Sequence, residues 1–236
     1  MIGCLCLHGF TGEPWEVEPV ATYFLNQKKW LVYTPTLPGH GPGGSLKDVT
    51  YHQWVHVAEV AMKELLKRCE KVYVIGFSMG GMLACYIAAK YPVEKLVLLS
   101  AAAYYFNPTQ LLQELKDIVR KRFRRELQQD KDYQMYRKKI IETPMKAVFQ
   151  FMQAVRRIRP CVRQVSSPTL IIQGEVDGIV PRKSAQYLFE TIASSKKKMV
   201  LMKHSHHMIC HGFEKEQLIT EIDAFLSYGV EERIER

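Results

Sequence analysis

With 236 residues, 47% of them hydrophobic and 24% charged, the chain can bury the core of one α/β domain and lies outside the composition of disordered segments. Its 33 Lys and Arg against 24 Asp and Glu leave a formal charge of +9, but much of the excess sits in two runs, 120–125 and 196–198, that match no nucleic-acid-binding motif and read as solvated faces. No apolar run reaches the roughly 20 residues that span a bilayer, the start lacks a basic cleavable leader, and Cys4, Cys6, Cys69, Cys85, Cys161 and Cys210 form no CxxC pair, so a cytoplasmic protein is expected, with reduced thiols, no stable membrane insertion and no nucleic acid.

In chain order, residues 2–7 are a short, continuously apolar run that suits a strand buried on both faces. The run gives way to His8-Gly9-Phe10-Thr11-Gly12, a glycine loop in the position where acyl-transfer enzymes place their second oxyanion donor. The Phe10 amide is the candidate donor, and His8 reads as a structural brace of the loop. Residues 30–33 repeat the strand pattern and lead to Pro38-Gly39-His40-Gly41. The stretch 39–44 matches G-x-G-x-x-G, yet Pro42 interrupts it and no helix pattern starts at its third glycine, so a turn bordering the site is expected and a dinucleotide cradle is not.

Trp54, Val57, Ala58, Ala61 and Leu65 share one helical stripe. Residues 72–75 form the next strand, which Gly76-Phe77-Ser78-Met79-Gly80 joins to a helix-forming segment over 82–90. After the strand at 96–99 the rhythm changes. Between 104 and 162 no strand pattern occurs, while Leu111, Leu115 and Ile118, then Met145, Phe149 and Met152, recur at helical spacing between Pro108, Pro144 and Pro160. A small helical insertion over 104–162 is therefore expected within a single domain over 1–236, with Phe149 and Met152 helping to line an apolar ligand pocket. The strand at 169–172 precedes a loop carrying Glu175 and Asp177, the strand at 199–202 precedes His204, His206, His207 and His211, and a helical stripe over 218–226 follows. The whole predicts an open, mostly parallel sheet of about six strands covered on both faces.

Strand, G-x-S-x-G and helix in succession have a physical purpose: a sharp turn lifts the Ser78 side chain clear of the sheet, and small residues two before and two after let strand and helix approach. The turn also sets the Met79 amide at a helix N-terminus, where unpaired N–H groups favour developing negative charge. Asp177 is the candidate acid because it lies in the loop after a strand, with Glu175 as its competitor; spacing alone does not choose among the later histidines. Four imidazoles on one irregular loop also raise a zinc reading, but no acidic or cysteine partner stands at ligand spacing.

Together, His8-Gly9-Phe10-Thr11-Gly12, Pro38-Gly39-His40-Gly41, Gly76-Phe77-Ser78-Met79-Gly80-Gly81 and Gly174-Glu175-Val176-Asp177-Gly178-Ile179-Val180-Pro181 resemble the α/β-hydrolase superfamily, and within it the compact bacterial carboxylesterases and monoacylglycerol lipases. The resemblance covers nearly the whole chain. It implies the α/β-hydrolase fold, a Ser, Asp, His triad in that chain order, a helical cap, and ester hydrolysis without a cofactor. It also points to His207 as the base, with His206 and then His204 behind it, because Ser205-His206-His207-Met208-Ile209 fits the family's small-x-His frame. The two antiparallel strands that open many members are not expected, since the first strand pattern starts at residue 2.

The reaction expected is cleavage of a small-molecule acyl ester, of short-to-medium chain or a monoacylglycerol, through an acyl-enzyme. The same triad would serve a thioesterase, a C–C hydrolase or a perhydrolase, and a ligand-sensing protein can use the same scaffold.

Overall fold

A computed structural model describes residues 1–104 and 143–228. The helical repeat at Leu111, Leu115 and Ile118, Pro108 and the basic run 120–125 lie outside the described residues, as does most of the expected cap.

Six strands, β1 (Ile2–Leu7), β2 (Leu31–Tyr33), β3 (Lys71–Phe77), β4 (Lys95–Leu99), β5 (Thr169–Gly174) and β6 (Lys197–Met202), pair in the order β2-β1-β3-β4-β5-β6, every pair parallel. Parallel neighbours need crossovers, and the helices that make them cover both faces. Successive side chains therefore enter different cores. Leu5, Leu7, Val72, Val74, Leu96 and Leu98 face one, while Cys4, Cys6, Tyr73, Ile75, Val97 and Leu99 face the other. Near-continuous apolarity in the strands is the sequence consequence.

The first core is covered by α2 (Tyr51–Arg68), α3 (Met79–Lys90), α4 (Met145–Ile158) and α5 (Arg182–Thr191), and the second by α1 (Glu18–Gln27) and α6 (Lys215–Tyr228). Helix α2 starts on a capping box, the Gln53 side chain accepting the Thr50 amide at 2.8 Å, and ends on Lys67 and Arg68, which suit the negative end of the helix dipole. Its buried stripe is Trp54, Ala58, Ala61, Met62 and Leu65; Met62 takes the place expected for Val57, which lies at the flank. Trp30 stays outside the strand and stacks on Phe24, ring centres 4.6 Å apart. Helix α4 and the turn Arg159–Gln164 occupy the described end of the expected insertion.

The chain leaves β1 to form β2 on one side and returns to form β3 on the other. Parallel sheets open a crevice at such a switch point, at the carboxyl ends of the strands. The loops leaving β1 and β3, which carry Phe10 and Ser78, meet there.

Candidate active site

Ser78 forms the turn between β3 and α3 with φ 54° and ψ −117°, a backbone conformation that L-residues adopt only under strain. Three backbone hydrogen bonds hold it: its N–H donates to Leu99 (2.9 Å), and its carbonyl accepts from Gly81 (3.0 Å) and Ala102 (3.1 Å). The flanking glycines are required by contact. A Cβ on Gly76 would strike the Gly80 carbonyl, and one on Gly80 would strike the Leu7 carbonyl.

The structure brings Ser78, His207 and Asp177 together. His207 Nε2 lies 3.0 Å from Ser78 Oγ, and His207 Nδ1 lies 2.9 Å from Asp177 Oδ2. Since an ionised carboxylate only accepts, the ring carries its proton on Nδ1 and presents a lone pair to the Ser78 hydroxyl. The His207 side chain is 7% exposed and that of Asp177 1%. Burial pushes the Asp177 pKa up, but the His207 ring and the amides of Val180 and Ile179 outweigh it, so the carboxyl is held below its ordinary value. Those amides meet Oδ1 at 2.9 and 2.8 Å, and the buried Gln173 side chain donates to Oδ2 at 2.9 Å. Glu175 is exposed.

The four clustered histidines separate. His204 is exposed, and its amide donates to the Glu214 carboxylate (3.0 Å), which also receives the Ser205 hydroxyl (2.6 Å) and fixes the loop ahead of His207. His206 is half-buried. His211 donates from Nε2 to the Trp15 carbonyl (2.8 Å) and stacks on the Trp15 ring at 3.9 Å. Among the described residues no group of three His, Cys, Asp or Glu could hold a metal ion.

Beside Ser78, neither the Phe10 nor the Met79 amide donates to a protein acceptor among the described residues. The loop carrying Phe10 is pinned on both sides of that amide. The Gly9 N–H donates to the carboxylate of Glu16, 2% exposed, at 2.7 Å, and the Thr11 N–H donates to His40 Nε2 at 3.2 Å. His8, wholly buried, donates from Nδ1 to the Gly9 carbonyl (2.9 Å) and accepts the Leu37 amide at Nε2 (3.1 Å), as a brace would. The Gly39-to-Gly44 stretch opens no helix; it supplies the second brace, His40.

Phe149 and Met152 sit less centrally than expected. Phe149 is 57% exposed, Met152 is partly buried against the first core, and the α4 ring that reaches the Phe10 loop is Phe151, stacked on Phe10 at 5.1 Å. Helix register is the reason: Val148, Phe151, Val155 and Ile158 form the inward stripe and leave Phe149 outside it. Sequence reasoning missed Glu16, Gln173 and Glu214, and placed His40 only in a turn bordering the site without its role as acceptor of the Thr11 amide.

All six cysteines are free, five of them buried, and burial pushes the Cys85 thiol up to about 12. Among the described residues no helix is long and apolar enough to cross a membrane.

The serine aminopeptidase S33 family matches residues 3–216. A thermostable monoacylglycerol lipase from Bacillus sp. strain H-257 is 26% identical over 92% of this chain and 87% of its own, and a carboxylesterase from Bacillus subtilis is 22% identical over 94% and 91%. A solved structure described with two metagenome-derived lipolytic enzymes, LipS and LipT, superposes with a TM-score of 0.78 at 23% identity over 96% of this chain and 93% of the other, a likeness of fold.

Proposed function

The chain belongs to the serine aminopeptidase S33 family, within the α/β-hydrolase superfamily of serine hydrolases, and from that premise we propose that it is a carboxylesterase-type enzyme cleaving esters of short-to-medium acyl chains or monoacylglycerols. The observation that carries the proposal is the unbroken relay from Asp177 through His207 to Ser78, with links of 2.9 and 3.0 Å. Ser78 Oγ attacks the ester carbonyl as His207 Nε2 takes its proton, and Asp177 holds the ring in the required tautomer and stabilises the imidazolium. The negative charge that develops on the carbonyl oxygen is received by the amides of Phe10 and Met79, the second at the N-terminus of α3. His207 returns the proton to the leaving alcohol. Water, activated by the same ring, then attacks the acyl-enzyme and releases the acid.

We place this chemistry in the cytoplasm, under a cap formed by 104–162, with Phe149 and Met152 toward its acyl side. Ester cleavage is tested directly: the protein should hydrolyse p-nitrophenyl butyrate much faster than leucine p-nitroanilide, and Ser78→Ala should lose the ester activity and fluorophosphonate labelling while keeping its fold. Near-normal turnover in that variant would reject the assignment.

A further inference from the structure

The end of α4 and the turn after it hold Arg156, Arg157, Arg159 and Arg163, and residues 143–174 contain no Asp or Glu. Three of these arginines, with Ala103, Tyr104 and Tyr187, wall a cavity of about 730 Å³ past the end of β4. Arg159 is clamped there. Its Cζ lies 4.2 Å from the Tyr104 ring centre and 4.9 Å from that of Tyr187, and Nη2 donates to the Tyr104 hydroxyl at 2.7 Å. Lys183 adds a fourth cation, its Nζ 5.5 Å from the same Tyr104 ring.

Elsewhere the chain pairs several of its cations, as in Lys90 with Glu59 and Lys198 with Glu221. Among the described residues none of Arg156, Arg159, Arg163 and Lys183 lies within ion-pair distance of a carboxylate. Like charges gathered around one concavity repel each other and focus a positive field into it. Planar guanidinium forks suit carboxylate and phosphate oxygens, which they grip through two parallel hydrogen bonds.

We propose that this groove binds a small organic ligand through its carboxylate or phosphate, with Arg156 and Arg163 closing on an anion that Arg159, held between the two tyrosines, orients. The groove adjoins the triad: Ala103 follows Ala102, whose amide binds the Ser78 carbonyl. The binding is nevertheless independent of ester hydrolysis, so Ser78→Ala retains it.

Titration calorimetry of the full chain with glutarate and, separately, glycerol 3-phosphate distinguishes the two sources of the anion. At least one should bind saturably. Its affinity should fall about tenfold in Arg156→Gln/Arg163→Gln, and again when salt rises from about 0.05 to about 0.5 M. Arg159→Lys keeps the charge, loses the planar fork and should bind severalfold more weakly. Arg156 and Arg163 are exposed, so the double variant should match its parent in urea midpoint; if it does not, the two single variants decide on the same criterion. No saturable binding of either probe below roughly 20 mM, or binding that the arginine variants retain in full, overturns the site.

Discussion

Gln173 donates its side-chain N–H to Asp177 Oδ2, the same oxygen that faces His207 Nδ1. Gln173 is wholly buried on β5, four residues before Asp177, and its amide nitrogen also lies 3.1 Å from the Val180 carbonyl. It therefore fixes the loop that carries Asp177 as well as the carboxylate itself. Gln173→Met keeps similar bulk and removes these donations, together with a longer one to the Gly174 carbonyl (3.3 Å). Hydrogen bonds to charged groups are worth about 1.5–3 kcal/mol, and His207 still holds part of the geometry, so kcat on p-nitrophenyl butyrate should fall about threefold to tenfold. An unchanged kcat in a folded Gln173→Met protein would show that His207 and the two amides suffice.

The depressed pKa of Asp177 makes stability depend on pH. On acidification the unfolded chain takes up this proton first, because its carboxyl has the higher pKa of about 3.9. The stabilisation is complete above that value and is lost as pH falls through the lower folded pKa. Asp177→Asn abolishes it, so the difference in urea midpoint between parent and variant should be widest above about pH 5 and shrink below about pH 4. A gap that stays constant across that range would falsify the linkage. The same variant should lose activity by a factor on the order of 10⁴, because an amide favours the wrong imidazole tautomer.

Strain at Ser78 has a separate signature. Its φ of 54° is costly for a residue with a Cβ, and Ala bears the same cost, whereas Gly does not. Relief of about 1–3 kcal/mol is partly offset by the greater freedom of glycine in the unfolded chain, so Ser78→Gly should be about 1 kcal/mol more stable than Ser78→Ala. Both should be inactive, which leaves denaturation midpoints as the measurement. Equal midpoints would mean that the turn stores no strain at this residue.

The strands were legible because burial on both faces leaves its mark in adjacent residues, as in Val72 to Ile75. Ser78 was legible because its turn needs Gly76 and Gly80 close by in sequence. Helices α1 and α5 were not singled out, since short helices with one buried stripe carry few apolar residues: Ala185 and Leu188 are the buried apolar residues of α5. The orientation of His207 depends on Glu214 holding Ser205, and that of Phe10 on Glu16 and His40, residues 6 and 30 positions further along the chain. Those partners are polar side chains whose burial only the assembled fold creates. The histidine cluster shows the limit most clearly, because neighbouring residues of one loop end up beside Ser78, beside Trp15 or in solvent according to contacts that no local pattern records.

Glu16 offers the sharpest test of the proposed oxyanion arrangement, because it lies close to the site and has no part in the proposed proton relay. Its carboxylate accepts the Gly9 amide at 2.7 Å, packs against Gly12, and so fixes the backbone on both sides of Phe10. Glu16→Ala leaves the Gly9 N–H without this acceptor, a loss of about 1–3 kcal/mol, and frees the Phe10 amide to turn from the developing oxyanion. Since that amide matters most once charge has developed, kcat should drop about tenfold while KM changes less than about twofold. Glu16→Gln keeps an oxygen in place and should recover most of the rate. Parallel losses in both variants would mean that the negative charge, and not the hydrogen bond, is what the loop requires; a rise in KM alone would mean that Glu16 shapes substrate binding and leaves the Phe10 amide untouched.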